Sequence, residues 1–400
     1  MKARVTVVGG GFAGLAAVHE LVRWRRRGAD IVVTLVDRRR FNVFSPMLPD
    51  LISGRISPLH VCYPLEPHCR RLGVRFLRAD VRSIEPERPA VVTSRGEVES
   101  DYVVLALGCE TNYYGRGEMA RLARGLKSLG EACTLRDRVL GMLRPAARGP
   151  GSFIVVGGGY TGFEIASHVA YLLRRRTLLS YSRLARVCRV LILEKGPELL
   201  RNCSPAVRAW ARELIERYGV ELRTETSLAE LTDDGVARLS DGSLLPGCAV
   251  AWAAGVTPGR AVAALPGPRG PAGRLGVDRH LCLPGFARVF AAGDVAGAVP
   301  PGEAEPLRMG VQFSLAGGRC AAANVVRSIE GRPLAVFDPL DPGYVIPLAP
   351  GQGAGVVLGC ELRGWLPYAL HCTVCVLRSW GAANRWGVFA DLWRRGRYDG

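Results

Sequence analysis

The sequence predicts an α/β fold in which one β–α–β unit occurs twice and is followed by an amphipathic C-terminal segment. A strand, a glycine-rich turn and a helix open the chain in RVTVVGGGFAGLAAVHELV, and the same order returns in SFIVVGGGYTGFEIASHVAYLL. The third observation is the tryptophan- and arginine-rich ending that begins with GWLPYALHCTVCVLRSW. A doubled unit of this kind is typical of two Rossmann-like, dinucleotide-binding domains.

The composition indicates a folded protein of more than one domain with an anionic partner. The 400 residues are 48% hydrophobic, which suits two or three domains of roughly 100–200 residues each. The net charge of +17 favours an anionic membrane or phosphate-bearing cofactors, whereas nucleic acid is not expected because no recognition module is present. No apolar run reaches the ~18–20 residues of a spanning helix. Because there is also no secretory leader, we expect a cytoplasmic protein with peripheral membrane contact.

The first glycine-rich turn predicts a dinucleotide site. It lies between a strand and a helix and consists of Gly9, Gly10, Gly11, Phe12, Ala13 and Gly14. Glycine permits the tight turn and the close approach of the backbone, so that a pyrophosphate can bind the N–H groups of the helix. Asp37 ends the next strand, where a carboxylate accepts hydrogen bonds from a ribose.

A second glycine-rich turn predicts a second dinucleotide. It consists of Gly157, Gly158, Gly159, Tyr160, Thr161 and Gly162. Glu194 ends the following strand, beyond a basic connector at residues 172–189. A carboxylate there repels a 2′-phosphate and favours NADH over NADPH. Two sites in one chain indicate a bound flavin and a diffusing nicotinamide that delivers hydride to it.

Further segments carry a resemblance to a known family. They are RFNVFSPMLPDLISGRISP, LALGCETNYYG, GGGYTGFEIA, WAAGVTP and FAAGDVAG. With the paired turns, they make the chain resemble the two-dinucleotide-binding flavoproteins. Among these it is similar to type II NADH dehydrogenases, the single-subunit NADH:quinone oxidoreductases. The resemblance implies FAD and NADH as cofactors, a membrane quinone as electron acceptor and no proton pumping.

The same resemblance implies roles for individual residues. The additional cofactor-binding residues are Arg38, Val81, Ala106, Gly108, Gly255, Gly293 and Asp294. Gly293 and Asp294 would bind the ribityl and phosphate region of FAD. Glu164 looks like the family's acid near the nicotinamide and the isoalloxazine. Gln312 looks like the first glutamine of the quinone-site signature, whose second glutamine is replaced here by Ala316.

The predicted domains are an FAD-binding domain at 1–112 and 270–330, an NAD(H)-binding domain at 113–269 and a membrane-anchoring region at 331–400. The anchoring region carries Trp365, Trp380, Trp386 and Trp393 among Arg363, Arg378, Arg385, Arg394, Arg395 and Arg397. Tryptophan and arginine together favour lipid headgroups, so we expect attachment to an anionic lipid surface at the cytoplasmic face of the membrane. The Pro- and Gly-rich connector at 337–355 predicts a separable tail. The alternative is a domain-closing or dimerising helical pair, and the dimerising form predicts a homodimer.

The twelve cysteines separate the competing functions. Cys372 and Cys375 lie on a stretch with helical spacing, so we expect structural thiols rather than a redox pair, and no metal site, since too few ligands lie nearby. Disulfide reductases need thiols after the second strand, and residues 38–61 contain none. The alternative function is that of a sulfide:quinone oxidoreductase using cysteine persulfide chemistry, for which Cys109, Cys133, Cys320 and Cys360 are candidates. A non-catalytic, NADH-sensing membrane protein is a third hypothesis.

Overall fold

The computed structural model describes residues 2–143, 151–178 and 188–396. They form two compact units. The first comprises Met1–Asn42, Pro64–Glu110 and Val256–Asp341, and the second comprises Val43–Tyr63, Thr111–Gly255 and Pro342–Gly400. Residues 179–187 of the predicted basic connector lie outside the described residues, as does Arg397.

The helices are α1 (Phe12–Arg26), α2 (Leu48–Ile52), α3 (Leu65–Leu72), α4 (Gly117–Leu122), α5 (Leu129–Met142), α6 (Tyr160–Leu178), α7 (Pro205–Arg217), α8 (Arg260–Ala263), α9 (Val311–Ile329), α10 (Trp365–Arg378) and α11 (Ala382–Gly396).

The strands of the first half are β1 (Ala3–Val8), β2 (Ile31–Asp37), β3 (Phe41–Val43), β4 (Cys62–Pro64), β5 (Arg75–Arg78), β6 (Val81–Glu85), β7 (Ala90–Thr93), β8 (Gly96–Glu99), β9 (Tyr102–Leu105), β10 (Glu110–Thr111), β11 (Ser152–Val156) and β12 (Arg189–Leu193). Those of the second half are β13 (Val220–Arg223), β14 (Leu228–Leu231), β15 (Ala237–Leu239), β16 (Leu244–Leu245), β17 (Cys248–Trp252), β18 (Val256–Thr257), β19 (Leu275–Gly276), β20 (Cys282–Leu283), β21 (Phe286–Ala291), β22 (Ala296–Gly297), β23 (Gly343–Ala349), β24 (Gln352–Val357) and β25 (Cys360–Gly364).

The first unit is organised around a six-stranded sheet with the order β20-β21-β9-β1-β2-β5. Strand β1 pairs in parallel with β2, Val5 opposite Val33, and with β9, Val7 opposite Val104. The buried valines and leucines of these strands form continuous apolar runs, as a parallel sheet covered on both faces requires. Helix α9 packs closely on α1, because a Cβ on Gly318 would overlap the Ala13 carbonyl oxygen.

The second unit has a four-stranded parallel sheet with the order β13-β12-β11-β17. Phe153 of β11 lies between Val190 and Ala249. An antiparallel meander of β14, β15 and β16 closes the core on one side, where its leucines pack with those of the sheet. The α/β class predicted from the sequence is therefore confirmed, and both glycine-rich turns follow the first strand of a parallel sheet.

The C-terminal residues form part of the second unit instead of a separate tail. Strands β23, β24 and β25 form an antiparallel sheet on which α10 packs, and Cys375 and Val388 on the last two helices are buried. The compact units thus differ from the predicted boundaries: residues 256–269 and 331–341 belong to the first unit, and residues 43–63, 111–112 and 342–400 to the second. The connector did not reveal this packing because proline and glycine mark turns within a sheet as well as linkers between domains.

Candidate functional site

The first glycine-rich turn depends on two glycines for its shape. Gly9 has a φ of +106°, and a Cβ there would overlap the Ala106 carbonyl oxygen. A Cβ on Gly14 would overlap the carbonyl oxygen of Gly9, which brings α1 against its own turn. Gly11, in contrast, has no atom within 4 Å of its Cβ position. The turn is therefore closed towards the sheet and open above Gly11.

The second turn repeats this geometry in the second unit. Gly157 also has a φ of +106°, and its Cβ would lie 2.5 Å from the Ala253 carbonyl oxygen. A Cβ on Gly162 would overlap the Gly157 carbonyl oxygen, whereas Gly159 has open space around its Cβ position. The two turns share one backbone design, although their flanking sequences differ.

A carboxylate binds each turn from the end of the neighbouring strand. Asp37 accepts a hydrogen bond from the Gly10 N–H at 2.6 Å and one from the Arg39 N–H at 2.6 Å. Glu194 accepts from the Gly158 N–H at 2.6 Å and from the Gly196 N–H at 2.7 Å. A carboxylate has about four acceptor positions. Each group therefore keeps the capacity to accept from the hydroxyls of a ribose.

Both turns fit the pyrophosphate of a dinucleotide. The N-cap of α1 is Gly11, which supplies no side-chain hydrogen bond, and neither α1 nor α6 has an acidic residue in its first turn. The first N–H groups of such a helix lack intrahelical partners and attract an anion. Phe12 and Tyr160 are half-buried at these helix starts, and Thr161 is exposed. The open space at Gly11 and Gly159 is the cradle that a side chain would fill.

The Gly293–Val295 turn lies beside the first glycine-rich turn. Gly293 has a φ of +80°, and its Cβ would lie 2.9 Å from the Ala13 Cβ. An open cavity is lined by Gly293, Asp294 and the start of α9 at Phe313 and Ser314. The structure thus brings the turn that carries Asp294 next to the start of α1.

The other candidate cofactor-binding residues lie at strand ends. Gly108, with a φ of +67°, follows β9, and Arg38 is exposed after β2. Val81 is half-buried at the start of β6. In the second unit, Gly255 has a φ of +143°, and a Cβ there would lie 2.7 Å from the Tyr114 hydroxyl oxygen. Each of the glycines has a backbone conformation that favours glycine.

Gln312 is the second residue of α9 and is half-buried. The next residue, Phe313, contacts Arg308, whose guanidinium lies 5.1 Å from the centre of the Phe313 ring and forms an ion pair with Asp341. Ala316 lies one turn further along the same helix face. At the two positions of the quinone-site signature, this helix therefore carries the amide of Gln312 and the small apolar side chain of Ala316.

Glu164 lies in the second turn of α6 and is surrounded by protein on most sides. Burial raises the pKa of its carboxyl group to about 8, and the negative charge of Asp50 adds to the shift. A carboxylic acid of this kind keeps its proton at neutral pH.

A cluster of buried polar side chains surrounds this part of α6, and the sequence did not predict it. Asp50 and Arg55, both 3% exposed, form an ion pair with 3.5 Å between Oδ1 and Nε. His168, one turn after Glu164, lies 4.0 Å from Asp50 and shares a hydrogen bond of 2.9 Å with Ser53. The Arg55 guanidinium donates to the Tyr368 hydroxyl of α10 at 2.8 Å. The available signal was a pair of charged residues inside the otherwise apolar PDLISGRI.

The cysteines are all free thiols. Burial raises the pKa of Cys372 to about 11 and holds that of Cys375 well above its usual value. Cys375 lies 3.4 Å from the His371 ring nitrogen. Thiols with raised pKa values are poor nucleophiles, which agrees with the structural role expected for this pair. No cluster of three metal-ligating side chains occurs among the described residues.

The last two helices expose large apolar side chains. Those on α10 and α11 that are more than a third exposed are Trp365, Leu366, Leu370, Leu377, Trp386, Phe389 and Trp393. Leu59, at 79% exposure, lies next to them in the chain segment held by α11, where the His60 Nδ1 and the Asp391 Oδ2 are 2.7 Å apart. Trp380 differs from the prediction, because it is half-buried and stacks on Tyr63. Within the described part of the chain, no helix has both the length and the apolar character needed to cross a bilayer.

The matching turns on two parallel sheets, each bound by a strand-end carboxylate, define an α/β protein of the dinucleotide-binding class. The chain belongs to the pyridine nucleotide-disulphide oxidoreductase family, whose sequence profile matches residues 3–316.

Similar proteins and structures agree with this family. A type II NADH:quinone oxidoreductase of Staphylococcus saprophyticus is 26% identical over 375 residues, 91% of this chain and 92% of the relative. The type II NADH:quinone oxidoreductase NdhA of Mycobacterium tuberculosis is 28% identical over 338 residues, 78% and 70% of the two chains. NDH2 of Plasmodium falciparum in complex with NADH superposes with a TM-score of 0.86 at 16% identity, covering 100% and 99%. The sulfide:quinone oxidoreductase of Aquifex aeolicus does so with 0.77 at 18% identity, covering 97% and 92%, and these two structures establish the fold alone.

Proposed function

We propose that this chain is an FAD-dependent type II NADH:quinone oxidoreductase, which passes electrons from NADH through FAD to a membrane quinone without proton pumping. The observation that carries the proposal is the pair of matching glycine turns, each with its own carboxylate. The similarity to type II enzymes along 91% of the chain supports it. FAD, when bound, accepts a hydride and releases its two electrons to a second substrate.

The first unit is the proposed FAD-binding domain. The N-terminus of α1 would bind the pyrophosphate above Gly11, and Asp37 would accept from the adenosine ribose. Asp294 would accept from the ribityl hydroxyls, since its turn lies against the start of α1.

The second unit is the proposed NADH-binding domain. Its turn would bind the pyrophosphate at Gly159, and Glu194 would accept from the adenosine ribose. Two main-chain N–H groups hold the Glu194 carboxylate in place, so a 2′-phosphate would meet a fixed negative charge. This arrangement favours NADH over NADPH.

Glu164 is the proposed acid of the site. Its carboxyl oxygen holds a proton at neutral pH because burial and Asp50 both disfavour the charged form. A protonated carboxyl group can donate a hydrogen bond and a proton to a group that gains negative charge. Glu164 lies on the helix whose N-terminus would bind NADH, so this proton is available in the nicotinamide domain.

The quinone is proposed to meet α9 at Gln312. An amide N–H₂ group can donate to a quinone carbonyl oxygen. Because Ala316 replaces the second glutamine, this chain has one side-chain amide that can bind the quinone, whereas the signature of the family that it resembles has two. We infer that the acceptor is held more by apolar contact and less by hydrogen bonds.

The exposed apolar side chains of α10 and α11 are the proposed membrane-binding surface. Tryptophan and phenylalanine insert at the headgroup boundary, and the exposed Arg385 and Arg394 can contact lipid phosphates. The chain would attach peripherally to an anionic lipid surface, at the cytoplasmic face of the membrane. A homodimer that covers part of this surface is the alternative occupant.

The test is anaerobic absorbance of the purified protein mixed separately with NADH, NADPH and sulfide. We expect a yellow protein whose flavin band is bleached rapidly by NADH and slowly by the other two donors. A flavin that only sulfide reduces would instead support the sulfide:quinone oxidoreductase alternative, which one contact favours: the Cys109 thiol donates to the Asp294 carbonyl oxygen at 3.3 Å. A protein that binds NADH without turnover would support the sensor hypothesis.

A further inference from the structure

A buried arginine connects the Gly293–Val295 turn to the segment that leads into α9. Arg274 is 6% exposed. Its Nε donates to the Asp294 carbonyl oxygen at 3.2 Å, its Nη1 donates to the Leu307 carbonyl oxygen at 2.7 Å, and its Nη2 donates to the Ala296 carbonyl oxygen. One side chain therefore binds main-chain oxygens within the turn that carries Asp294, directly after it, and in the segment that leads into α9.

Only a guanidinium can make this set of contacts. Its planar fork presents five N–H donors in fixed directions, whereas a lysine ammonium is a point charge on a flexible stem. A buried charge is costly unless it is hydrogen-bonded, and here each of the three guanidinium nitrogens donates to a carbonyl oxygen. The pKa of Arg274 is lowered by burial, and the charge of Asp294 opposes that effect.

Arg274 also forms part of the cavity wall. The cavity is lined by Arg274, Asp294, Leu307, Gly310 and Phe313, among others. Gly310 is the N-cap of α9, and Gln312 follows two residues later. The contacts of Arg274 thus fix both the turn proposed to bind FAD and the approach to the residue proposed to meet the quinone.

We propose that Arg274 is a positioning residue that holds the Asp294 turn and the start of α9 in one arrangement, so that the ribityl site and Gln312 are aligned. This inference rests on the proposed function. It assigns a role in FAD binding to Arg274, a residue that lies outside both glycine-rich turns.

The test uses the full-length holoenzyme with the variants Arg274→Lys, Arg274→Gln and Arg269→Gln. Arg269 is the matched control, because it also donates to main-chain carbonyl oxygens, but those of Val262, Ala263 and Leu265 at α8. We expect both Arg274 variants to raise the Kd for FAD about tenfold or more, while Arg269→Gln leaves it unchanged. NADH binding, measured by calorimetry, should be unchanged in all three.

Two further readouts separate positioning from general destabilisation. At saturating FAD, Arg274→Lys should raise the KM for quinone and leave the KM for NADH unchanged. The midpoint potential of the flavin should stay near that of the unmutated protein in Arg274→Lys and fall in Arg274→Gln, because a positive charge favours the reduced flavin. An unchanged Kd for FAD in Arg274→Lys, or a parallel loss of FAD and NADH binding, would overturn the inference. Failure of the proposed function would look different: the unmutated protein would hold no flavin or would not be reduced by NADH.

Discussion

At the residue scale, an aspartate and a glutamate accept the same pattern of main-chain hydrogen bonds in the two turns. Asp37 and Glu194 each accept from the second glycine of their turn and from a main-chain N–H two residues further along. The hydrogen bond from the second glycine to the carboxylate is 2.6 Å long in both turns, although the Glu194 side chain is longer than that of Asp37. These residues therefore form a matched pair in which one can serve as the control for the other.

We expect Glu194→Gln to narrow the preference for NADH over NADPH, because the amide removes the charge that repels a 2′-phosphate. A change of about tenfold or more in the ratio of the two kcat/KM values corresponds to roughly 1.4 kcal/mol. Stopped-flow flavin reduction with each donor measures it. Asp37→Asn should lower FAD retention and leave the donor ratio unchanged, and equal efficiency of both donors in the unmutated protein would contradict the assignment.

Glu164 gives a pH dependence whose sign can be worked out. Its pKa is about 8 in the folded protein and near 4.5 when exposed, so between these values the folded state binds more protons than the unfolded state. The free energy of unfolding therefore falls as pH rises through this window. Glu164→Gln removes the titrating group, and its denaturation midpoint should fall less over the same range. Parallel pH curves for the two proteins would show that the group titrates normally.

Asp50 should act on the same titration from another element. Asp50→Asn removes the negative charge that helps raise the pKa of Glu164, and this loss favours the ionised form of Glu164. The decline of quinone reduction at alkaline pH should consequently shift to lower pH. Tyr368→Phe is the control, since it removes a hydrogen bond to Arg55 without changing any charge at neutral pH. An equal shift in both variants would indicate a packing effect.

At the scale of the element, the glycines of the strand–turn–helix unit have two different roles. Gly14 allows the helix to pack against its own turn, whereas Gly11 leaves space above the turn for a ligand. We expect Gly14→Ala to lower the free energy of unfolding by about 1–3 kcal/mol, because its Cβ would overlap the Gly9 carbonyl oxygen. Gly11→Ala meets no atom within 4 Å and should cost at most about 1 kcal/mol as a poorer N-cap. It should nevertheless weaken FAD binding, because the methyl group occupies the cradle. Urea denaturation and flavin fluorescence measure the two effects, and equal stability of both variants would contradict this division.

At the scale of the whole molecule, the C-terminal residues have both a packed side and an exposed side. Removal of residues 342–400 should prevent cooperative folding of the second unit, because Tyr368 contacts Arg55 and the Asp391 carboxylate accepts from the Ser57 N–H at 2.7 Å. Calorimetry of the truncated chain would show a lost or lowered transition. A truncated chain that unfolds like the full one would show that the tail is separable, as the connector predicted.

The exposed side can be tested without disturbing the fold. Trp386 and Trp393 are 71% and 60% exposed, so replacing both with alanine should leave the melting temperature nearly unchanged. Binding to anionic vesicles should fall, together with reduction of a lipophilic quinone, while a soluble acceptor is reduced normally. Leu244→Ser is the control, because Leu244 is 62% exposed on β16 outside the proposed surface. Vesicle binding that survives the tryptophan changes would exclude these side chains as the anchor.

The sequence by itself determined the α/β class, the two turns and the carboxylate that follows each of them. These features are local: glycine spacing, an apolar strand and a strand-end acid lie within one β–α–β unit, and the backbone geometry of the turn demands those residues. Tertiary structure alone decided what surrounds Glu164, since Asp50, Arg55 and Tyr368 are distant from it in the chain. It also decided that the C-terminal helices pack into the second unit and that Arg274 holds the Asp294 turn. Burial and charge pairing arise from contacts between distant segments, so their effects appear only when the chain is folded.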